Sequence, residues 1–188
     1  MTDGSPVVRR VGGGRIELVL GSIVDQAVDA IVNAANTKLK GGGGVDGAVH
    51  RAAGPALTEA CLRLPADENG RRCPTGQART TPAGNLPARY VIHAVGPFYN
   101  ARYADRAEGR LREAYENSLA EAARHGCRSV AFPAISAGAY RFPLDRAAGI
   151  AVRAVADFLG RSSSIEVVRF VLFKRPHFEA FRAALAAC

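Results

Sequence analysis

Apolar positions along the chain fall into two patterns. Short runs rich in β-branched residues occupy positions 16–20, 28–32, 89–95, 129–132 and 165–173, and each is predicted as a buried strand. Between and after them, apolar residues recur at helical spacing over 45–53, 56–64, 108–125, 144–159 and 176–187. Gly54-Pro55, Pro65, Gly126 and Gly160 mark the ends of the first four helices, and Pro176 suits the first turn of the fifth. The late alternation of strands with helices predicts an α/β sandwich on a mainly parallel sheet. Positions 67–86 are polar and punctuated by Pro and Gly, and read as a long loop of the kind that often carries function. With no repeat and no linker, the chain is expected to be one domain over 1–188, residues 1–6 forming a frayed terminus.

Composition narrows the class. The 188 residues are 48% hydrophobic and 22% charged, which is ordinary for a globular protein. Lys and Arg number 25 against 17 Asp and Glu, a net charge of +8 that favours anionic partners. No apolar run approaches the roughly 18 residues of a membrane span, and the first thirty positions lack a signal-peptide core. Cys61, Cys73, Cys127 and Cys188 form no C-x-x-C pair, so reduced thiols and a cytoplasmic location are expected, with no metal.

Two segments carry candidate chemistry, and each leaves a strand and enters a helix. The first runs from Asn33 and Asn36 through Gly41, Gly42, Gly43, Gly44 and Val45 to Asp46 and His50. Glycines let a backbone approach phosphate oxygens closely, and Asp46 and His50, four apart, share a helix face. Alone, Asp46 could cap the helix and His50 could be a packed core ring. A literal G-x-G-x-x-G at Gly42, Gly44 and Gly47 lies too far from its strand for a dinucleotide fold, and there is no P-loop sequence. The second segment is Ser136, Ala137, Gly138, Ala139, Tyr140 and Arg141, again a loop suited to a phosphate. It is not a nucleophile elbow, because Ala134 stands where the first glycine belongs. Two such loops on neighbouring strands suit a diphosphate. His93, inside an apolar strand, reads as a core or supporting residue.

The stretches VDAIVNAANTKLKGGGGVDGAVHRAAGP, CPTGQARTTPAGNLPARYVIHAVGP and FPAISAGAYRFP resemble the macrodomain family, specifically its MacroD-type branch, over nearly the whole chain from Ile16 onward. The resemblance implies a three-layer α/β/α fold around a mixed sheet of about six strands. It implies that Asn36 orients the distal ribose of ADP-ribose, that Asp46 faces that ribose and the attacking water, and that His50 stands beside Asp46. It makes Gly42, Gly43, Gly44 and Val45 the first phosphate loop and Ser136 to Tyr140 the second; Asn33, by its own place at the carboxyl end of a strand, is also expected at the ligand. It places Phe173 and the Ile23 backbone against adenine. Ser22 stands where the family carries an aspartate for the adenine amino group, and Arg141 where it carries glycine. The implied activity is hydrolysis at the distal ribose, releasing mono-ADP-ribose from Asp or Glu side chains and deacetylating O-acetyl-ADP-ribose, with no cofactor. Implied partners are ADP-ribose and its conjugates, ADP-ribosylated proteins and ADP-ribosylated nucleic acid. A module that binds ADP-ribose without cutting it is the alternative, and Asp46 separates the two.

Overall fold

A computed structural model describes residues 6–161 and 164–188. The expected frayed terminus falls outside the described residues except for Pro6, which is exposed. Seven strands form one mixed sheet: β1 (Val7–Val11), β2 (Gly14–Leu20), β3 (Ala30–Ala34), β4 (Ala78–Pro82), β5 (Tyr90–Ala94), β6 (Ser129–Phe132) and β7 (Val167–Leu172). Five helices flank it: α1 (Gly44–Ala53), α2 (Pro55–Arg63), α3 (Ala104–Arg124), α4 (Leu144–Gly160) and α5 (Arg175–Ala186).

The strand order is β1-β2-β7-β6-β3-β5-β4. The five central strands pair in parallel, while β1 and β4 pair antiparallel at the two edges. Successive strand residues point to opposite faces, and the core follows that alternation. Val32, Ile92, Val168 and Phe170 join Leu111, Tyr115, Val152 and Phe181 of α3, α4 and α5 on one face. Ile31, Val91 and Val171 join Val49 and Leu57 of α1 and α2 on the other. The result is the α/β/α sandwich, with helices on both faces of a mixed sheet.

The sheet has seven strands rather than about six. Both edge strands escaped the periodicity argument for the same reason: an edge strand is wetted and need not be apolar. β1 reads VVRRV, and its hairpin to β2 turns on Gly12-Gly13. β4 reads ARTTP, lies inside the stretch expected to be a loop, and buries only Ala78 and Thr81. Its Pro82 is tolerated at an edge, where one ladder bond can be spared.

Because the central strands are parallel, their carboxyl ends emerge along one rim. Gly21–Ile23 follow β2, residues 35–43 follow β3, Gly96 follows β5, residues 133–140 follow β6 and Phe173 follows β7. Open α/β sheets bind ligands at that rim. No helix among the described residues is long and apolar enough to cross a membrane.

Candidate active site

The rim loops enclose a cleft of about 780 Å³. One wall is the glycine run. Gly42, Gly43, Gly44 and Val45 line it, and α1 begins at Gly44 with no side chain capping its first turn. Only Gly47 among these early residues returns its N–H to the loop, to the carbonyl of Gly43 at 3.2 Å. Among the described residues, the N–H groups of Gly42 to Asp46 have no backbone partner. They form a donor row with the positive end of a helix dipole behind it, which is an anion site. Leu39 anchors the run from below. It is fully buried against Ala35, Cys61, Cys73 and Val95.

The opposite wall is the loop after β6. Ser136, Gly138, Ala139 and Tyr140 line it, and their N–H groups are likewise uncommitted among the described residues. The loop is held by its other groups. Phe142 N donates to the Ser136 carbonyl at 3.0 Å, Ile135 N to the Tyr115 hydroxyl at 3.1 Å, and Tyr99 N to the Tyr140 carbonyl at 2.9 Å. Phe98 stacks on the Tyr140 ring at 3.7 Å between centroids. Ser136 adopts φ 65°, and its hydroxyl is buried without a partner. A Cβ on Gly96 would stand 2.2 Å from that hydroxyl oxygen, so the end of β5 and this loop fit only with glycine there.

Asp46 sits between the glycine run and Asn36 and is only 5% exposed. Asn33 Nδ2 donates to its Oδ1 at 2.7 Å, and Asn36 Nδ2 lies 3.5 Å from its Oδ2. Asn36 is itself fixed, donating to the Gly41 carbonyl at 3.0 Å and accepting from Lys38 N at 3.1 Å. His50 Nε2 stands 3.4 Å from Asp46 Oδ1. That contact lacks hydrogen-bond geometry, and Nε2 is buried without a hydrogen-bond partner. His50 is held instead through Nδ1, 3.0 Å from the Thr58 hydroxyl. Burial pushes the Asp46 carboxyl above its usual range, against the opposing pull of the Asn33 hydrogen bond and of His50.

Most of the residues expected at the site therefore line the cleft: Ser22, Ile23, Asn36, Gly42, Gly43, Gly44, Val45, Asp46, Ser136, Gly138, Ala139, Tyr140 and Phe173. Three do not. Asn33, expected at the ligand, is fully buried behind Asp46, because β3 is a central strand and turns it inward. Ala137 turns away and packs on the core beneath its loop. His50 lies behind the wall, one helical turn beyond Asp46. Arg141 is exposed and does not line the cleft.

Arg141 nevertheless marks its position as a glycine site, with φ 57°. A left-handed conformation costs a side-chain-bearing residue about 1–2 kcal/mol. Arg141→Gly should therefore raise the melting temperature by about 2–4 °C, the shift that roughly 1 kcal/mol gives at this chain length. Calorimetry of the two proteins checks it.

Sequence reasoning missed Arg51, Lys174 and His177, which also line the cleft. It also missed that His50, Cys61 and His93 bring possible metal-ligand atoms within 4.8 Å of one another. These three come from α1, α2 and β5, so no local spacing announces them. The His93 ring nitrogens already face Asn33, Thr81 and Cys61.

A mixed α/β/α sheet with two rows of uncommitted main-chain N–H groups at its rim, and a buried carboxylate beside the first, defines a class of protein suited to anionic ligands. The chain belongs to the macro domain family, whose pattern matches residues 32–151. It is 51% identical over 172 residues to an O-acetyl-ADP-ribose deacetylase of Klebsiella pneumoniae, covering 91% of this chain and 96% of that one. An Oceanobacillus iheyensis macrodomain solved with ADP superposes with a TM-score of 0.91 at 37% identity, covering 97% of this chain and 96% of that one. A Trypanosoma brucei macrodomain in complex with ADP-ribose superposes at 0.80, with 37% identity, covering 90% of this chain and 68% of that one.

Proposed function

We propose that this protein hydrolyses esters at the distal ribose of ADP-ribose conjugates, with O-acetyl-ADP-ribose and ADP-ribose on Asp or Glu side chains as substrates. The single observation that carries the reading is the Asp46 carboxylate, buried at the cleft wall beside the glycine run and Asn36. A protein that only reads ADP-ribose gains nothing from a buried charge at that place, which costs desolvation. The relatives named above, a deacetylase and a macrodomain that binds ADP-ribose, support the same reading.

In this reading the two rows hold the diphosphate, one phosphate to each loop. The distal ribose then lies toward Asn36 and Asp46, and adenine toward Ser22, Ile23 and Phe173. Phe173 is 74% exposed at the mouth of the cleft, an aromatic face open to a base. Asn36, tied at both ends of its amide, sets the position of the ribose. A water beside the ribose attacks the ester while Asp46 orients it and accepts its proton. One water is consumed, and the products are a carboxylic acid and the ADP-ribose moiety. His50 stands behind Asp46 and biases its charge. The +8 net charge draws the anionic substrate toward the cleft. ADP-ribosylated proteins and ADP-ribosylated nucleic acid are the macromolecular partners this chemistry serves, in a cytoplasmic setting.

The test is incubation with O-acetyl-ADP-ribose and, separately, with a protein mono-ADP-ribosylated on acidic side chains. Release of acetate in the first and of ADP-ribose in the second is expected. Binding of ADP-ribose without either release identifies a reader, and no binding removes the ligand assignment.

Ser22 offers a separate check on the adenine end. Its hydroxyl makes no bond to the turn that follows it, and its carbonyl accepts from Gln26 Nε2 at 2.9 Å. A carboxylate at this position accepts more strongly than a hydroxyl. Ser22→Asp should tighten ADP-ribose by roughly 1 kcal/mol, about fivefold in Kd, measured by titration calorimetry. An unchanged or weaker Kd would place the base elsewhere.

A further inference from the structure

β5 sends one polar ring into the core. His93 has no solvent exposure. Its Nδ1 lies 3.2 Å from Asn33 Nδ2, and its Nε2 lies 3.0 Å from Thr81 Oγ1 and 3.4 Å from Cys61 Sγ. The same Asn33 nitrogen donates to Asp46 Oδ1 at 2.7 Å. An amide NH₂ only donates, so His93 Nδ1 must present its lone pair and carry its proton on Nε2, facing Thr81. Burial, and then the neighbouring His50, push the ring's pKa down to about 3, so it is neutral as this tautomer requires.

The alternative is an Asn33 amide turned over. Its oxygen would then face Asp46 Oδ1 and the His93 lone pair, three acceptors against one another. That arrangement becomes self-consistent only when Asp46 is protonated and His93 carries its proton on Nδ1. The tautomer, the amide orientation and the ionisation of the carboxylate are therefore linked. In the observed orientation Asn33 Oδ1 is buried without a partner. Among the described residues, the amide is therefore held through the two bonds made by its nitrogen, which must offset the cost of that bare acceptor.

We propose that His93 is a positioning residue of this site: by accepting one N–H of Asn33 it holds the other on Asp46, and so keeps the carboxylate turned as an acceptor toward the cleft. The proposal rests on the reading of Asp46 as the group that orients water. Other titratable groups face Asp46 from each neighbouring element. His50 is on α1, Cys61 comes from α2 with its thiol pushed up to about 11 by burial and then by Asp46, and Tyr140 comes from the loop after β6, its hydroxyl pushed up by the same two causes. Arg51 lines the cleft one turn beyond Gly47. Near neutrality Cys61 and Tyr140 stay protonated and His93 stays neutral, so none of the three changes charge beneath the carboxylate.

Nitrogen NMR of the full chain reads the His93 tautomer directly, and the Nε2–H form is expected at neutral pH. His93→Phe keeps a ring but offers no acceptor. It should lower kcat at least about tenfold, as misplacement of a catalytic group does, while KM and the ADP-ribose Kd change little. The acid limb of its kcat profile should move to higher pH, because a carboxylate that loses a hydrogen bond to its charged form holds its proton longer. His93→Gln, whose amide oxygen can accept from Asn33, should restore part of the rate. Where His93→Phe does not fold, Thr81→Val removes the acceptor of the Nε2 proton and should shift the profile in the same direction. An Nδ1–H tautomer, or a folded variant with unchanged kcat and unchanged pH profile, overturns the proposal. A wild-type protein without turnover overturns the hydrolase reading alone, and the tautomer then decides the arrangement by itself.

Discussion

Asp46→Ala should still bind ADP-ribose and should lose turnover by roughly 10²-fold or more, the usual scale for a general base. The two effects separate because different atoms carry them. On the proposed reading the diphosphate is held by main-chain N–H groups of Gly42 to Val45 and of Ser136, Gly138, Ala139 and Tyr140, which the substitution leaves in place. The carboxylate, on the same reading, acts on the attacking water instead. Read as a helix cap, Asp46 predicts the opposite pattern, a loss of stability with turnover intact. The structure disfavours a cap: Asp46 is the third residue of α1, and the N-cap position, Gly43, receives no side-chain bond. The pH profile adds a second signature. Burial raises the carboxyl's pKa, and the proposed role in accepting a proton from water requires the ionised form. Turnover should therefore fall as pH drops through a value above the usual carboxylate range and level off above it. Hydrolysis and ADP-ribose affinity measured together on Asp46→Ala decide the matter, and full activity would refute the assigned role.

Gly47→Ala should weaken ADP-ribose by at least about tenfold, the equivalent of losing one hydrogen bond to a charged group. Propensity alone predicts a benign change, since Ala is favoured over Gly in a helix by about 1 kcal/mol. Geometry reverses it. A Cβ on Gly47 would stand 2.4 Å from the Gly42 carbonyl oxygen and 3.1 Å from Arg51 Nη1. The side chain can swing away, but the carbonyl is backbone, so the glycine run must move and its donor row with it. Gly109→Ala in α3 is the control. Nothing lies within 4 Å of a Cβ there, so it should gain stability and leave binding untouched. Equal affinities in both variants would show that the run tolerates displacement.

The parts of this protein that were legible in the sequence are those where a local pattern has one physical meaning. β6 is expected and found at Ser129–Phe132, since a short apolar run stopped by Pro133 has few alternatives. The glycine run and the Ser136 loop are expected at strand–helix junctions and are found there, because glycine content and burial both constrain them. The edge strands were illegible because β1 and β4 are recruited by pairing with β2 and β5, and their own sequences are half polar. Within the site, the failures are tertiary. Asn33 and Asn36 are alike as residues and three apart, yet a central strand buries the first while the turn after it delivers the second to the cleft. Lys174 and His177 follow Phe173 at the start of α5, and only the closure of that helix against β7 and β2 brings them to the rim.

The two donor rows described above are made of main chain, and this bears on inhibitor design. Main-chain amides are present whatever the side chains, so a compound that engages only the rows gains affinity with little discrimination among chains that fold this way. Nor can substitution of a loop side chain readily confer resistance to it. Selectivity has to be sought at the outer end, through the side chains of Ser22, Phe173, Lys174 and His177. A compound that stacks on Phe173 and extends an acidic group toward Lys174 would exploit a hydroxyl, rather than a carboxylate, at position 22.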